Sequence, residues 1–137
     1  MITNMSSIVV TNKAATPVQT TLTPASRVAE NTARWQCRTL NGGIPLGFST
    51  YTLNVKEPTL AGGVFRMKTS YQKPKLDLSV PAVPKLLGTA RFLGEFIFPD
   101  CYTDQDRMDF VQEVYSSIAQ GSATAIGDNI VAQATPY

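Results

Sequence analysis

Apolar and polar positions alternate most clearly in two segments joined by a glycine-rich turn. In Arg34-Trp35-Gln36-Cys37-Arg38-Thr39-Leu40, Arg34, Gln36 and Arg38 fall on one face and Trp35 and Cys37 on the other. In Thr50-Tyr51-Thr52-Leu53-Asn54-Val55-Lys56, Thr50, Thr52, Asn54 and Lys56 share one side, opposite Tyr51, Leu53 and Val55. Asn41-Gly42-Gly43 is a turn signal, and Pro45 and Gly47 lengthen that loop beyond the tight two-residue kind. Thr32–Pro58 therefore predicts a β-hairpin with one oily face and one polar, basic face. An antiparallel sheet tolerates this asymmetry, packing on one side while presenting hydrogen-bonding groups and cations on the other.

The same reading extends along the chain. Ser7–Thr11 and Pro17–Thr23 are β-branched runs separated by Asn12-Lys13-Ala14-Ala15, which predicts an N-terminal hairpin over residues 7–23. Val64–Tyr71 is strand-like, Lys73-Pro74-Lys75 interrupts it before Leu76–Val80, and either piece can join the main sheet. Pro81–Gly88 reads as an apolar loop, and Ala90–Phe98 as the last strand, closed by Pro99. Thr103 then caps a helix, with Asp106 three residues on and Asp104 also in its first turn. Met108, Val111, Tyr115 and Ile118 recur at helical spacing, and Gly121 ends the run. A second helix is expected from Ser122 to about Gln133, with Ile126 and Ile130 one turn apart. Strands first and helices last predict an α+β fold in a single domain over residues 1–137, with the sheet at 32–98 and the helices at 103–133.

Composition changes this picture in one respect. Net charge is only +2, so anion binding must come from local placement of cations and not from bulk charge. Charged residues form 16% of the 137, against about a quarter in an average domain, which points to surface hidden by assembly. An exposed apolar loop in such a chain points the same way, so Pro81, Val83, Leu86 and Leu87 are candidate contacts between subunits. Cys37 and Cys101 are read as free thiols. No stretch has the length of a membrane span, and Met1-Ile2-Thr3-Asn4-Met5 lacks the order of a signal peptide.

Catalytic chemistry has little to build on. Histidine is absent, which removes the commonest general base, the ordinary triads and the usual transition-metal ligand. The cysteines lack CxxC spacing, and Gly42-Gly43 and Gly62-Gly63 are turns and not phosphate cradles. Capping and the helix dipole account for Asp100, Asp104, Asp106 and Asp109. The expectation is a protein that is no enzyme and needs no cofactor, metal or small-molecule substrate.

Tyr51-Thr52-Leu53-Asn54-Val55-Lys56-Glu57-Pro58 is similar to the strand of the type Tyr-Thr-Ile-Lys-Val-x-x-Pro found in coat proteins of single-stranded RNA bacteriophages, the levivirus type. Phe92–Pro99 with Glu95 in mid-strand, the helix opening Tyr102-Thr103-Asp104-Gln105-Asp106-Arg107, and the terminal Pro136-Tyr137 resemble the same family. By element order the resemblance covers nearly the whole chain. It implies an intertwined dimer whose helices cross onto the partner's sheet, and an icosahedral shell of such dimers in the virion, assembled in the bacterial host cytoplasm. It also implies an inward sheet face touching genomic RNA, where one hairpin can act as translational operator.

Carried over residue by residue, the family's RNA positions fall on Arg34, Gln36 and Arg38 in the first hairpin strand and on Thr52 and Asn54 in the second, and Thr50 and Lys56 are RNA-binding candidates because they share that polar face. Asn54 stands where the family has lysine, and Lys56 offers that charge from the same face. In the last strand, beside Glu95, this chain has Arg91 and Leu93 where some members have tyrosine and asparagine. That departure favours backbone contact over base stacking. The connection between Pro24 and Thr32 is short for the extra strand of several members, and the region from Pro58 to Ala90 is long. The competing expectation is a small RNA-binding module that forms no shell, using the same basic face. Should that face be wrong, the basic segment Arg66–Lys75 is the next place to look.

Overall fold

The computed structural model describes residues 6–25 and 31–135. The first five residues, residues 26–30 in the short connection after Pro24, and the terminal Pro136-Tyr137 lie outside the described residues. Six strands come first: β1 (Ile8–Thr11), β2 (Gln19–Pro24), β3 (Thr32–Cys37), β4 (Ser49–Lys56), β5 (Val64–Asp77) and β6 (Lys85–Pro99). Two helices follow, α1 (Asp104–Ser117) and α2 (Gly127–Ala132). The strands form one sheet in chain order, each beside its sequence neighbour, which is the arrangement short hairpin connections favour. The chain divides into two compact units, Met1–Ile97 and Phe98–Tyr137.

Within the first unit, the N-terminal hairpin forms as the β-branched runs predict, with Ile8 opposite Leu22 and Thr11 opposite Gln19. Asn12 closes its loop: the side-chain oxygen accepts from the Val18 N–H at 2.9 Å, and the Asn12 N–H donates to the Val18 carbonyl at 3.1 Å. Among the described residues β2 meets β3 over two residue pairs, Thr23 with Gln36 and Pro24 with Trp35. Pro24 is thus confined to the strand's last position, where a missing N–H is tolerated. Leu22, Trp35 and Cys37 form the buried cluster, with Ile8, Val10, Ala33, Leu40, Tyr51, Leu53 and Tyr71 packed partly against it. The Trp35 indole N–H donates to the Ser6 carbonyl at 2.8 Å, satisfying the polar end of a buried ring.

Between β3 and β4 the chain makes two 3₁₀ turns, Leu40–Gly43 and Pro45–Gly47. Asn41 and Gly42 both adopt left-handed conformations there, which asparagine and glycine tolerate best. Gly47 is required by close approach: a Cβ at this position would lie 2.6 Å from the Asn41 side chain and 2.8 Å from Leu76. The Asn41 amide donates to the Gly47 carbonyl at 2.9 Å, tying the loop across itself.

Four expectations need correction. β5 is one strand through Lys73-Pro74-Lys75 to Asp77, not two segments. Its register with β4 ends with Thr50 opposite Gln72, so Pro74 falls beyond the first residue of β4 and its missing N–H interrupts no rung of that ladder. β6 begins at Lys85 and not at Ala90, so the apolar loop is confined to the turn before it, and Leu86 and Leu87 are strand residues. Arg38 lies past the end of β3, in the bend leading to the first 3₁₀ turn. In the second unit, α2 starts only at Gly127, because residues 122–126 form turns.

α1 carries the expected capping box: the Thr103 hydroxyl accepts from the Asp106 N–H, and the Asp106 carboxylate accepts from the Thr103 N–H at 2.9 Å. The helix stops at Ser117, before Gly121. α2 begins tight against that stop, since a Cβ on Gly127 would lie 2.2 Å from the Ala119 carbonyl oxygen. Phe98 is buried, its ring edge-on to Phe110 at 5.8 Å. No residue of α1 is buried, and its apolar stripe stands open, with Met108 60%, Val111 45% and Tyr115 69% exposed.

Candidate nucleic-acid interface

Opposite residues of an antiparallel pair point to the same face, so the registers assign the faces without ambiguity. Gln36, Thr50 and Gln72 form one cross-strand row, Arg34, Thr52 and Ser70 the next, then Thr32, Asn54 and Lys68, and finally Lys56 opposite Arg66. The other face carries Trp35, Tyr51 and Tyr71 in one row and Ala33, Leu53 and Thr69 in the next. Trp35 and Tyr51 meet edge-on at 6.2 Å, and the rings of Tyr51 and Tyr71 are tilted to each other at 6.1 Å, so an aromatic ladder stiffens the apolar side beneath the polar one.

The predicted face is thereby assembled from Arg34, Gln36, Thr50, Thr52, Asn54 and Lys56. Arg38 is exposed but off the strand, so strand alternation does not bring it to the others. β6 joins through Glu95, whose carboxylate accepts from Arg66 Nη1 at 3.3 Å. Alternation along β6 carries Leu93 and Arg91 to that same face. A shallow depression of about 380 Å³ lies between the strands, lined by Thr52, Asn54, Lys68, Ser70, Leu93 and Glu95.

Local hydrogen bonds hold some of these groups and leave others unpaired. The Asn54 amide donates to Thr32 Oγ1 at 2.7 Å, which leaves its carbonyl oxygen as an acceptor. Among the described residues, the buried Arg34 Nε–H has no hydrogen-bond partner. From the sequence, Lys68, Ser70 and Gln72 belong only to the alternative basic segment Arg66–Lys75; the register with β4 is what brings them onto the face itself. Their signal was present in the alternation of Arg66, Lys68, Ser70 and Gln72 with Met67, Thr69 and Tyr71.

The expected subunit contacts divide between two elements. Pro81 and Val83 lie in the turn before β6, where the Val83 N–H donates to the Val80 carbonyl at 3.0 Å, and Leu86 and Leu87 lie on β6 itself. All are exposed, Leu87 by 61%. Cys37 is buried and Cys101 exposed, and neither is in a disulfide. Among the described residues no group of acidic or cysteine side chains is arranged to hold a metal ion.

No curated protein matches the sequence. Solved structures do. The virus-like particle of Beihai levi-like virus 21 is 23% identical, with 98% of each chain covered and a TM-score of 0.76. The virus-like particle of bacteriophage NT-214 is 18% identical, with 97% of this chain and 98% of that chain covered and a TM-score of 0.79. An unassembled coat protein dimer, described as a bacteriophage RNA-binding dimer, is 15% identical, with 96% of each chain covered and a TM-score of 0.68. Identities this low speak for the fold alone, a six-stranded antiparallel sheet followed by two helices. The sequence profile described as Levivirus coat protein matches residues 3–137, nearly the full chain with its hairpin, sheet and helices. This protein belongs to the levivirus coat protein family.

Proposed function

We propose that the chain is the structural subunit of an icosahedral RNA-phage shell: two copies make an intertwined dimer, dimers close into the shell, and the polar face of β3–β6 touches single-stranded genomic RNA inside it. Residues 1–137 act as one coat-protein domain in this reading, completed by the partner copy. The virion is its destination and the bacterial cytoplasm its place of assembly.

Dimer formation is supported by unsatisfied surface. The apolar stripe of α1 has no buried member, and Tyr51, Leu53 and Tyr71 on the sheet are only partly covered. β6 is the sheet's last strand and runs 15 residues, and a long edge of this kind is a template for pairing with a second copy. Helices crossing onto a partner's sheet would bury both apolar surfaces together.

One observation carries the RNA reading: Arg34, Lys56, Lys68 and Arg91 converge with Gln36, Thr50, Thr52 and Asn54 on a single sheet face opposite the aromatic ladder. Cations of this kind neutralise phosphates without reading sequence, while amides and hydroxyls discriminate donors from acceptors. Purification of the expressed protein, electron microscopy and extraction of nucleic acid test both parts. Closed particles containing RNA are expected. Soluble dimers that bind RNA but never close would instead favour the shell-free RNA-binding module, and particles whose RNA crosslinks away from β3–β6 would remove the assigned face.

A further inference from the structure

Charge is divided unevenly between the two units. Eleven of the chain's twelve cations fall in Met1–Ile97 beside four carboxylates, a net +7, while Phe98–Tyr137 holds six carboxylates and Arg107 alone, a net −5; together they make the +2 of the whole chain. Three of those carboxylates, Asp106, Asp109 and Glu113, lie on α1, each two residues before a member of the apolar stripe Met108, Val111 and Tyr115. At 3.6 residues per turn this puts them on the opposite side of the helix, so they stay outside when the stripe is covered. They line a hollow of about 420 Å³ together with Tyr102 and Phe110, and no lysine or arginine is among the described residues that line it. In the first unit a cavity of about 590 Å³ opens between the β3–β4 loop, the end of β5 and the start of β6. Leu40, Pro74, Leu87 and Ala90 make its lining apolar, Lys73 and Lys75 supply its charge, and no carboxylate is among the described residues that line it.

We propose that this lysine-flanked cavity is a docking site for a second copy of the chain, and that the acidic side of α1 from a neighbouring dimer fills it. The proposal rests on the shell reading and deepens it by naming the two surfaces that meet between dimers. Complementarity carries it. An apolar hollow bearing two cations faces a surface that offers three carboxylates and two exposed aromatic residues, Tyr102 and Phe110. Lys73 and Lys75 are exposed and two residues apart on β5, so both stand on the same side of the strand. Leu87 belongs both to the cavity and to the expected subunit contacts, which makes the two one continuous surface. The contact joins unlike surfaces, and such a contact closes into rings when repeated by rotation. Each exposed ion pair in it is weak and is screened by salt. A shell repeats the contact many times, so weak individual docking lets a misplaced dimer leave before closure.

The test reverses the charges on the two surfaces of the full chain, with closure read by size-exclusion chromatography and electron microscopy. Lys73→Glu with Lys75→Glu, and separately Asp109→Lys with Glu113→Lys, should each leave soluble dimers that do not close. All four changes together restore opposite signs and should restore closed particles. A neutral pair, Lys73→Gln with Lys75→Gln, should close but release its dimers at lower salt than the unmodified shell does. Dimers of that pair should bind a fluorescein-labelled oligouridylate with an unchanged plot of log affinity against log salt. Normal particles from either reversed pair alone, or dimers of the fourfold variant that melt like the unmodified dimer and still do not close, overturn the proposal. If a reversed pair fails to fold, the neutral pair decides: a shell as resistant to salt as the unmodified one overturns the proposal. A slope flattened by about 0.7 for each lysine replaced overturns it too, by assigning Lys73 and Lys75 to RNA phosphates. An unmodified chain that stays dimeric would instead overturn the shell reading, and this contact with it.

Discussion

Asn54 Nδ2 donates a 2.7 Å hydrogen bond to Thr32 Oγ1, and the two residues are direct partners across the β3–β4 ladder. The bond fixes the amide, so the carbonyl oxygen is the group offered to the depression beside Lys68 and Ser70. Replacing Thr32 by Val keeps the shape and removes the acceptor, freeing the amide to rotate. The expected result is a change in preference among RNA hairpins that differ at one base. It should correspond to one hydrogen bond, about 1 kcal/mol, or roughly fivefold in relative affinity. Filter binding at several salt concentrations should show an unchanged slope. An equal loss for every hairpin would mean that Asn54 reads no base.

A second expectation concerns Val111 and Ile118. In the single chain these side chains are 45% and 43% exposed, so an aspartate at either would cost the isolated subunit little. In a dimer whose helices lie on the partner's sheet, the same substitution would bury an unpaired charge, at a cost of several kcal/mol. Val111→Asp or Ile118→Asp should therefore prevent dimer formation, leaving monomer or aggregate. Sedimentation at micromolar concentration measures it. A substituted protein that remains fully dimeric would place the dimer contact away from this helix face.

How much was legible in the sequence depended on how local the determining force was. The β3–β4 hairpin was legible because alternation of Arg34, Trp35, Gln36 and Cys37 with a matching partner strand is a strictly local signal. The Thr103–Asp106 capping box was legible for the same reason, being fixed by three residues of spacing. β5 was misread because the cost of Pro74 depends on whether a neighbouring strand needs its N–H, and β4 has already ended there. Leu86 and Leu87 looked like loop because two prolines precede them, yet their backbone is extended as the start of β6. The first residues of α2 were lost to turns, since spacing of Ile126 and Ile130 cannot reveal that Gly127 must abut the Ala119 carbonyl. Lys68, Ser70 and Gln72 joined the candidate face only through register, which no single strand's sequence contains.

The position of β6 alters how contacts between dimers should be tested. Removing residues 83–87 would delete the first strand residues along with the turn and confound folding with assembly. Substitutions are cleaner: Val83→Ser with Leu87→Ser keeps the backbone and removes exposed apolar surface. Because Leu87 is already 61% exposed in the subunit, the expected change in subunit melting temperature is small. Shell formation should fail or become altered in size while dimers stay soluble, as read by size-exclusion chromatography and electron microscopy. Normal particles from the double variant would show that these side chains make no contact needed for closure.

The last prediction is a dependence on pH at the start of α1. The Thr103 N–H and hydroxyl both donate to the Asp106 carboxylate at 2.9 Å, and Arg107 lies next to it. These bonds, the backbone one foremost, hold the Asp106 carboxyl below its ordinary value of 3.8. A carboxyl lowered in the folded state contributes stability that is fully present above its unfolded value and lost as pH falls through its folded value. The first turn of α1 should therefore be protected at neutral pH and fray in acid, once Asp106 is protonated. Amide hydrogen exchange at Thr103, Asp106 and Arg107, whose N–H groups are bonded within the cap, followed down through the carboxylate range below about 4, reads this directly. Asp106→Ala should exchange faster at neutral pH and lose the acid step. Asp77, lowered by its bond from the Ser79 N–H, provides an internal control in the other unit, and its acid step should persist in that variant. If Asp106→Ala keeps the same acid step at Thr103 and Arg107, another group governs the helix start.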